Sequence, residues 1–235
     1  KGIKYKDHKY IGDPMNAVKI FNDKDVDELI FLDISATSEG RFMDVSLVED
    51  ISDHSYVPFT VGGGISEINQ IKSLLRAGAE KISINSSSLS DPEFIKEASD
   101  FFGSSSIVVS IDIGLDWLGR EKVFFNNGQK KSNKEILDWV RTIEELGAGE
   151  ILINNISRDG TFQGYDVNLV EKVASKVNIP VICCGGAGNY NHISEIFTKT
   201  QVSAAAAGSL FVFHGKKRAV LISYPSSEER KKLIK

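Results

Sequence analysis

Residues 57–64 read Val-Pro-Phe-Thr-Val-Gly-Gly-Gly, and residues 179–186 read Ile-Pro-Val-Ile-Cys-Cys-Gly-Gly. Each segment is a short, largely apolar run around a proline that ends in adjacent glycines, which is the pattern of a buried strand leading into a tight turn. The similarity extends upstream, because Glu28 and Glu150 each precede the proline of their segment by 30 residues. A repeat of this length contains several elements. It therefore predicts a fold of two similar halves, each with its own glycine turn.

Short apolar runs alternate with amphipathic stretches, which is typical of βαβ units in a parallel sheet. The predicted strands are 29–33, 57–61, 81–85, 106–112, 150–154, 180–184 and 203–207. A barrel of this type needs eight strands, yet the first predicted element is a helix that begins at Asp13-Pro14. We therefore predict an α/β fold, a (βα)8 TIM barrel with a two-fold half-barrel repeat, as a single domain over residues 1–235, with its first strand before Lys1. An open doubly wound sheet is the alternative, but no reversal of strand order is indicated.

The composition excludes several classes of protein. The chain has 235 residues, of which 41% are hydrophobic and 26% charged, which is ordinary for a globular enzyme. The net charge of −4 argues against nucleic-acid binding, and no apolar run is long enough for a membrane helix. Cys183 and Cys184 are adjacent, so a disulfide between them is unfavourable, and no metal-site spacing is present. We expect a cytoplasmic protein without a metal or cofactor.

One segment interrupts the alternation of strands and helices. Residues 114–132 contain Trp117, the pair Phe124-Phe125 and the turn Asn126-Asn127-Gly128. Asn-Gly between apolar residues predicts a hairpin. Since the loops after strands form the active face of such barrels, this hairpin is expected to lie over the site, although it could instead be an insertion without a role there.

The glycine turns predict two phosphate sites at the carboxyl ends of the strands. Glycine lets backbone N–H groups approach a phosphate closely, and a helix start adds favourable partial charge. The expected first cup consists of Gly63, Gly64, Asn85 and Ser86, and the expected second cup consists of Gly185, Gly186, Gly208 and Ser209. Asp159 and Gly160 either close the second cup or form a plain turn. Two such cups predict a small substrate with a phosphate at each end.

Charged residues stand at both ends of the strands. Asp112 and Asp33 end apolar strands, where a carboxylate is either a general acid or base or a cap on the following loop. Glu28, Lys81 and Glu150 stand at the opposite ends of their strands. They either converge into an ionic ring or form exposed salt bridges that contribute little to stability.

The chain resembles the cyclase subunit of imidazole glycerol phosphate synthase, a (βα)8 barrel of histidine biosynthesis. The resemblance covers the whole chain. It is carried by Gly12-Asp13-Pro14, Asp27-Glu28-Leu29-Ile30-Phe31-Leu32-Asp33-Ile34, Thr60-Val61-Gly62-Gly63-Gly64-Ile65, Ala77-Gly78-Ala79-Glu80-Lys81-Ile82-Ser83-Ile84-Asn85, Gly147-Ala148-Gly149-Glu150-Ile151-Leu152, Arg158-Asp159-Gly160-Thr161 and Gly164-Tyr165-Asp166.

The resemblance implies a reaction and a partner. A glutaminase subunit on the barrel bottom releases ammonia, which passes a charged gate matching Glu28, Lys81 and Glu150. At the top, ammonia reacts with a ribulosyl-formimino aminoimidazole carboxamide ribonucleotide that carries two phosphates. The products are imidazole glycerol phosphate and an aminoimidazole carboxamide ribonucleotide. Asp112 matches one catalytic aspartate and Lys1 matches the lysine of a mobile loop, so the resemblance implies that both are catalytic. The second aspartate belongs to the strand expected before Lys1.

Several positions depart from the family pattern. Asn154-Asn155 stand where Thr-Ser is usual, and Cys184 replaces a serine. The segment 207–225 is not the usual last helix. These departures indicate a paralogous branch that supplies ammonia for sugar amidation in surface-polysaccharide pathways, with Asp33, Asn154 and Asn155 as expected substrate contacts. A phosphoribosyl isomerase of the same fold and a non-catalytic activator of the glutaminase remain open as further alternatives.

Overall fold

The computed structural model describes residues 1–215 and 217–234. Seven strands form one parallel series, and four more form two antiparallel excursions. The parallel strands are β1 (Leu29–Leu32), β2 (Phe59–Gly62), β3 (Lys81–Ile84), β4 (Ile107–Leu115), β7 (Glu150–Asn155), β8 (Val181–Cys184) and β9 (Ala204–Ala206). The excursions are β5 (Glu121–Phe125) with β6 (Lys130–Lys131), and β10 (Phe213–His214) with β11 (Ala219–Val220).

The parallel strands follow one another in space in the order of the chain, from β1 to β9. This order excludes the doubly wound alternative, which requires a reversal. The sheet curls into a partial barrel in which β1 and β9 are the two edges, and no pairing joins these edges within the described residues. The seven predicted strands and the barrel class are therefore confirmed, with an open side between β1 and β9.

Helices cover the outside of this sheet. They are α1 (Pro14–Asp23), α2 (Val45–His54), α3 (Ile68–Arg76), α4 (Ser86–Ser90), α5 (Glu93–Phe102), α6 (Ile136–Glu145), α7 (Val167–Ala174), α8 (Tyr190–Lys199), α9 (Ser209–Val212) and α10 (Ser227–Leu233), with a 3-10 turn at Ser104–Ser106. Their starts follow from capping side chains. Asp13 accepts the Met15 N–H at 2.7 Å with Pro14 in the first turn, and Asp166 accepts the Leu169 N–H at 3.2 Å. None of the helices in the described chain has the length and apolar character that a bilayer crossing requires.

The two faces of the sheet differ in chemistry. Ile107, Val109 and Ile111 of β4 are fully buried and belong to the large core between the strands and the helices. Val108 belongs instead to a small apolar cluster with Leu152 and Ile182 on the inner face. Since successive strand residues point to opposite faces, this alternation also fixes which polar side chains enter the barrel. The inward series are Lys81, Ser83 and Asn85 of β3 and its end, Val108, Ser110 and Asp112 of β4, and Glu150, Leu152 and Asn154 of β7.

The hairpin predicted at Asn126-Asn127-Gly128 is present, because β5 pairs with β4 and with β6. Asn126 and Asn127 have φ angles of +53° and +57°, which Asn-Gly turns accommodate. The tail after β9 also departs from a plain helix, as the sequence indicates. It forms α9 and the β10–β11 hairpin before α10.

Candidate functional site

The two glycine turns repeat the same local geometry at the carboxyl ends of β2 and β8. Gly63 has a φ of +128° and Gly185 a φ of +96°. A Cβ at either position would lie 2.6 Å from a carbonyl oxygen, that of Asp33 or that of Asn155. Asp33 and Asn155 are themselves equivalent in the repeat. Only glycine fits this close approach, so the half-barrel repeat predicted from sequence exists at the level of backbone contacts.

Asp112 lies between the two turns, at the inner face of β4. It is 7% exposed, and both of its oxygens accept hydrogen bonds. The Tyr5 hydroxyl donates to Oδ1 at 2.5 Å, and the Asn85 amide donates to Oδ2 at 3.0 Å. Burial raises the pKa of Asp112 to about 6, although the bonds from Tyr5 and Asn85 oppose this rise. A carboxylate with a pKa near neutrality suits acid–base chemistry.

A cavity of about 1430 Å³ opens above Asp112. The sequence-predicted site residues that line it are Asp33, Gly63, Gly64, Asn85, Ser86 and Asp112. Phe124, Asn127 and Gly128 of the β5–β6 hairpin also line it, so this hairpin does lie over the site. The structure thus brings the first cup and Asp112 into one cavity.

The first cup is bordered by an ion pair that sequence reasoning missed. Asp33 Oδ1 accepts the backbone N–H groups of Ser35 at 3.0 Å and of Ala36 at 3.1 Å. Its other oxygen pairs with Arg41, whose Nη2 donates to Ser35 Oγ at 2.8 Å. Although burial acts to raise the pKa of Asp33, these bonds outweigh it and the pKa is lowered. Asp33 is therefore ionised and holds Arg41 beside the cup.

Gly208 of the second cup lies under the amino-terminal segment. The Lys1 ammonium contacts Gly208, at the place where a Cβ would stand. The Gly2 backbone carbonyl likewise lies where a Cβ of residue 160 would stand, so only glycine fits there. Asp159 is half-buried within this group, and burial raises its pKa while Lys1, His8 and Arg218 act to lower it. Lys1, Asp159, Gly160 and Gly208 therefore belong to one location.

Arg218 attaches the carboxyl-terminal hairpin to this second cup. Its Nη1 donates to the Gly160 carbonyl at 2.9 Å. The guanidinium carbon lies 4.4 Å from the ring centre of Phe213 and 5.1 Å from that of Phe162. Two aromatic faces and one carbonyl thus fix the guanidinium, which stabilises the Gly160 turn.

Asn154 and Asn155 diverge, because they are neighbours on a strand. Asn154 donates to the Tyr5 hydroxyl at 2.5 Å, on the inner face. Asn155 is buried on the other side, where its Oδ1 accepts the Arg158 N–H at 3.2 Å and its Nδ2 donates to Asp166 at 3.4 Å. The structure brings Asn154 to Asp112 and does not bring Asn155 there. Asn155 instead supports the loop that follows β7.

The charges at the opposite end of the strands do converge. The Lys81 ammonium lies 2.8 Å from Glu150 and 3.2 Å from Glu28. Thr60 donates to Glu28 at 2.9 Å. Burial lowers the pKa of Lys81, but the hydrogen bonds and charges of the two glutamates outweigh it and raise the pKa. With side-chain exposures of 18–30%, this cluster is partly buried rather than a set of surface pairs.

Three residues near the site carried no usable sequence signal. Tyr5 is an isolated aromatic in a polar lead-in, Arg41 lies in an unpatterned loop, and Arg218 follows a basic run. Within residues 1–215 and 217–234, no group of three or more His, Cys, Asp or Glu side chains is arranged to hold a metal ion.

A family model described as "Histidine biosynthesis protein" matches residues 1–217. The chain belongs to this family. Close relatives of this chain are named as HisF subunits of imidazole glycerol phosphate synthase. A protein of that name from Clostridium botulinum is 45% identical over 215 residues, which cover 91% of this chain and 85% of the relative. The chain is therefore a HisF-type member of this family, as the sequence motifs indicated.

Other HisF relatives carry numbered names. A Pseudomonas aeruginosa protein, provisionally named subunit hisF2, is 47% identical over 225 residues, covering 96% of this chain and 90% of the relative. A Vibrio vulnificus protein, provisionally named subunit hisF3, is 42% identical over 235 residues, covering 100% of this chain and 90% of the relative. The chain is thus similar both to proteins named HisF and to proteins named hisF2 or hisF3.

Proposed function

We propose that this protein catalyses the ammonia-dependent cyclase reaction of imidazole glycerol phosphate synthase. The substrate is the two-phosphate ribulosyl-formimino aminoimidazole carboxamide ribonucleotide. Ammonia condenses with the ribulosyl ketone with loss of water, and closure of the imidazole ring releases the aminoimidazole carboxamide ribonucleotide. The observation that carries this proposal is the pair of matched glycine turns on either side of Asp112, because a substrate anchored by a phosphate at each end would place its middle portion over that carboxylate.

Each group in the site has a chemical task in this reaction. Gly63, Gly64, Asn85 and Ser86 bind one phosphate, and Gly185, Gly186, Gly208 and Ser209 bind the other, together with the Asp159-Gly160 turn. Backbone donors suit this task because a phosphate carries about −1.5 to −2 charges near pH 7. Asp112 transfers protons during addition of ammonia and ring closure, as its pKa of about 6 supports. The contact of the Lys1 ammonium with Gly208 supports a role for Lys1 in neutralising charge at the second phosphate.

The partly buried cluster of Glu28, Lys81 and Glu150 lies where a glutaminase partner would dock. We propose that ammonia enters the barrel here. The inner face between this cluster and Asp112 carries Ser83 and Ser110, whose hydroxyl groups can hydrogen-bond to a passing amine, beside the apolar Val108 and Leu152. Asp33 and Asn154, at the far end of this path, are the expected contacts to the substrate's middle portion.

Sugar amidation in surface-polysaccharide synthesis is a second candidate. Two observations favour it. The tail forms a β10–β11 hairpin whose Arg218 braces the second cup, and Asn154 replaces the usual threonine beside Asp112. Both changes lie at the substrate end of the barrel, whereas the ionic cluster at the ammonia end is intact.

Complementation separates these candidates. The gene is expressed with its glutaminase partner in a bacterium that lacks its own HisF, on medium without histidine. Growth is expected for the cyclase, and loss of growth in Asp112→Asn ties it to the site. No growth from soluble, expressed protein, even with excess ammonium, would contradict the cyclase and favour sugar amidation.

A further inference from the structure

The amino-terminal segment folds into a two-residue hairpin that points into the site. Ile3 and Lys6 exchange both backbone hydrogen bonds, at 2.8 and 2.9 Å. The two residues at the tip, Lys4 and Tyr5, have φ angles of +50° and +60°. Such turns favour Asn and Gly, so two bulky residues in this conformation are strained. Strain of this kind persists only where surrounding contacts hold it.

Those contacts come from two loops of the barrel. The Lys4 N–H donates to the Asp159 carbonyl at 2.9 Å, which fixes the hairpin to the loop after β7. The Tyr5 ring lies against Gly128 of the β5–β6 hairpin, where an added Cβ would approach the ring to 3.2 Å. The strained tip is therefore clamped between two loops, with the phenol directed at Asp112.

The phenol forms the centre of a hydrogen-bonded chain. Asn154 Nδ2 donates to the Tyr5 oxygen at 2.5 Å, and the Tyr5 hydroxyl donates to Asp112 Oδ1 at 2.5 Å. Burial, followed by the charge of Asp112, raises the pKa of Tyr5 well above 10, so the phenol remains protonated and acts as the donor. The direction of the chain is thus fixed, from Asn154 through Tyr5 to Asp112.

We propose that Tyr5, held by Asn154, is a positioning residue that caps Asp112 in the substrate-free protein and stabilises its ionised form. A substrate that approaches Asp112 meets the phenol at Oδ1 and the Asn85 amide at Oδ2. This role explains why Asn stands at position 154: its amide reaches the phenol oxygen as a donor. The inference rests on the proposed function for the use that is made of Asp112, but the cap itself is measurable without turnover.

Three other polar residues lie close to Asp112. Asn85 approaches from the end of β3, Asp159 from the loop after β7, and Cys184 from β8. Burial raises the pKa of the Cys184 thiol to about 11, so it stays neutral while Asp112 titrates. The charge of Asp159 raises the pKa of Asp112. Tyr5→Phe keeps the Asp159 carboxylate, so we expect this contribution in the variant as well.

The test follows the Asp112 carboxyl carbon by carbon-13 NMR from pH 4 to pH 9, with the resonance assigned through Asp112→Asn. The native midpoint is expected near pH 6. Loss of a hydrogen bond to the charged form in Tyr5→Phe should raise the midpoint by about one pH unit. Tyr10→Phe is the control in the same segment, because Tyr10 is 81% exposed, and it should leave the midpoint unchanged.

A double-mutant cycle tests the role of Asn154. Asn154→Ala should raise the midpoint in the native background and have no further effect in Tyr5→Phe, because its influence passes through the phenol. The acid limb of kcat/KM, which reports on the free enzyme, should shift with the NMR midpoint. An unchanged midpoint in Tyr5→Phe, or additive effects of the two substitutions, would overturn the inference. A shifted midpoint in a protein without cyclase turnover would support the cap and contradict only the proposed reaction.

Discussion

The Lys81 ammonium bonds to Glu150 at 2.8 Å and so joins the two halves of the barrel at the end opposite Asp112. Glu28 and Glu150 are equivalent in the repeat, yet Lys81 has Ser203 as its counterpart. One cation is therefore shared between two equivalent carboxylates. The two-fold symmetry that shapes the glycine turns is broken here, where the proposed passage for ammonia begins.

Lys81→Ala should reduce stability and uncouple ammonia delivery. Removal of the cation leaves two partly buried carboxylates facing each other, which should lower the free energy of unfolding by about 1–3 kcal/mol. Urea unfolding measures this change. Lys96→Ala is the matched control, because Lys96 pairs with Asp100 on an exposed helix face, and it should cost at most about 0.5 kcal/mol.

The effect of Lys81→Ala on ammonia delivery is measured as the ratio of glutamine hydrolysed to product formed. In the complex with the glutaminase, this ratio should rise in Lys81→Ala and stay near that of the native complex in Lys96→Ala. Activity with ammonium salt should fall less than activity with glutamine. Equal stability and equal coupling for the two variants would contradict a role of this cluster in ammonia delivery.

Asp112→Asn should change the pH dependence of stability. The pKa of Asp112 is raised from 3.8 to about 6 by burial, so its contribution to stability is complete below pH 4 and is lost as the pH rises through 6. At pH 8 the native protein carries an unfavourable buried charge of about 3 kcal/mol, which asparagine removes. Asp112→Asn should therefore melt at a higher temperature than the native protein at pH 8, and the gain should disappear at pH 3.5. A gain that is the same at both pH values would contradict the raised pKa.

Gly63→Ala and Gly185→Ala should each impair one phosphate site. A methyl group at either position meets a carbonyl oxygen at 2.6 Å and has an unfavourable positive φ. We expect a loss of about 1–3 kcal/mol in stability. Crystals soaked in phosphate should lose the anion only at the altered turn. Gly119→Ala isolates the φ penalty, because Gly119 has a φ of +74° and open space around it, and it should leave both anions in place.

Arg218 should matter for the second cup through its planar shape as well as its charge. Arg218→Ala should weaken phosphate binding there about tenfold, since the Gly160 turn loses its brace. Arg218→Lys should recover little of this loss, because an ammonium cannot stack on both Phe213 and Phe162 while bonding to Gly160. Isothermal titration with inorganic phosphate measures both variants, with Arg76→Ala on the outer helix α3 as control. Full recovery in Arg218→Lys would show that charge alone is sufficient.

The strands and the glycine turns could be predicted from sequence because their signals are local. A buried parallel strand is a continuous apolar run, and a turn at positive φ requires glycine. The repeat then placed Gly63 and Gly185 in equivalent positions, and the structure shows the same carbonyl contact at both.

Tyr5 and Arg218 could not be found in this way, because their partners are distant in sequence. Tyr5 is 107 residues from Asp112, and Arg218 is 58 residues from Gly160. Neither contact leaves a periodic pattern. Asn155 departs from the prediction for a different reason. Because it is adjacent to Asn154, a shared role is expected, but successive strand residues point to opposite faces and the two side chains are separated.

The proposed reaction is an ammonia-dependent ring closure on a substrate held by two phosphates. Its most direct test is to incubate the purified protein with ammonium chloride and the two-phosphate ribonucleotide, and to quantify both products by chromatography. We expect equal amounts of imidazole glycerol phosphate and aminoimidazole carboxamide ribonucleotide, formed at a rate that rises with free ammonia and is lost in Asp112→Asn. Absence of both products at saturating ammonium, from folded protein that binds phosphate at both cups, would contradict it.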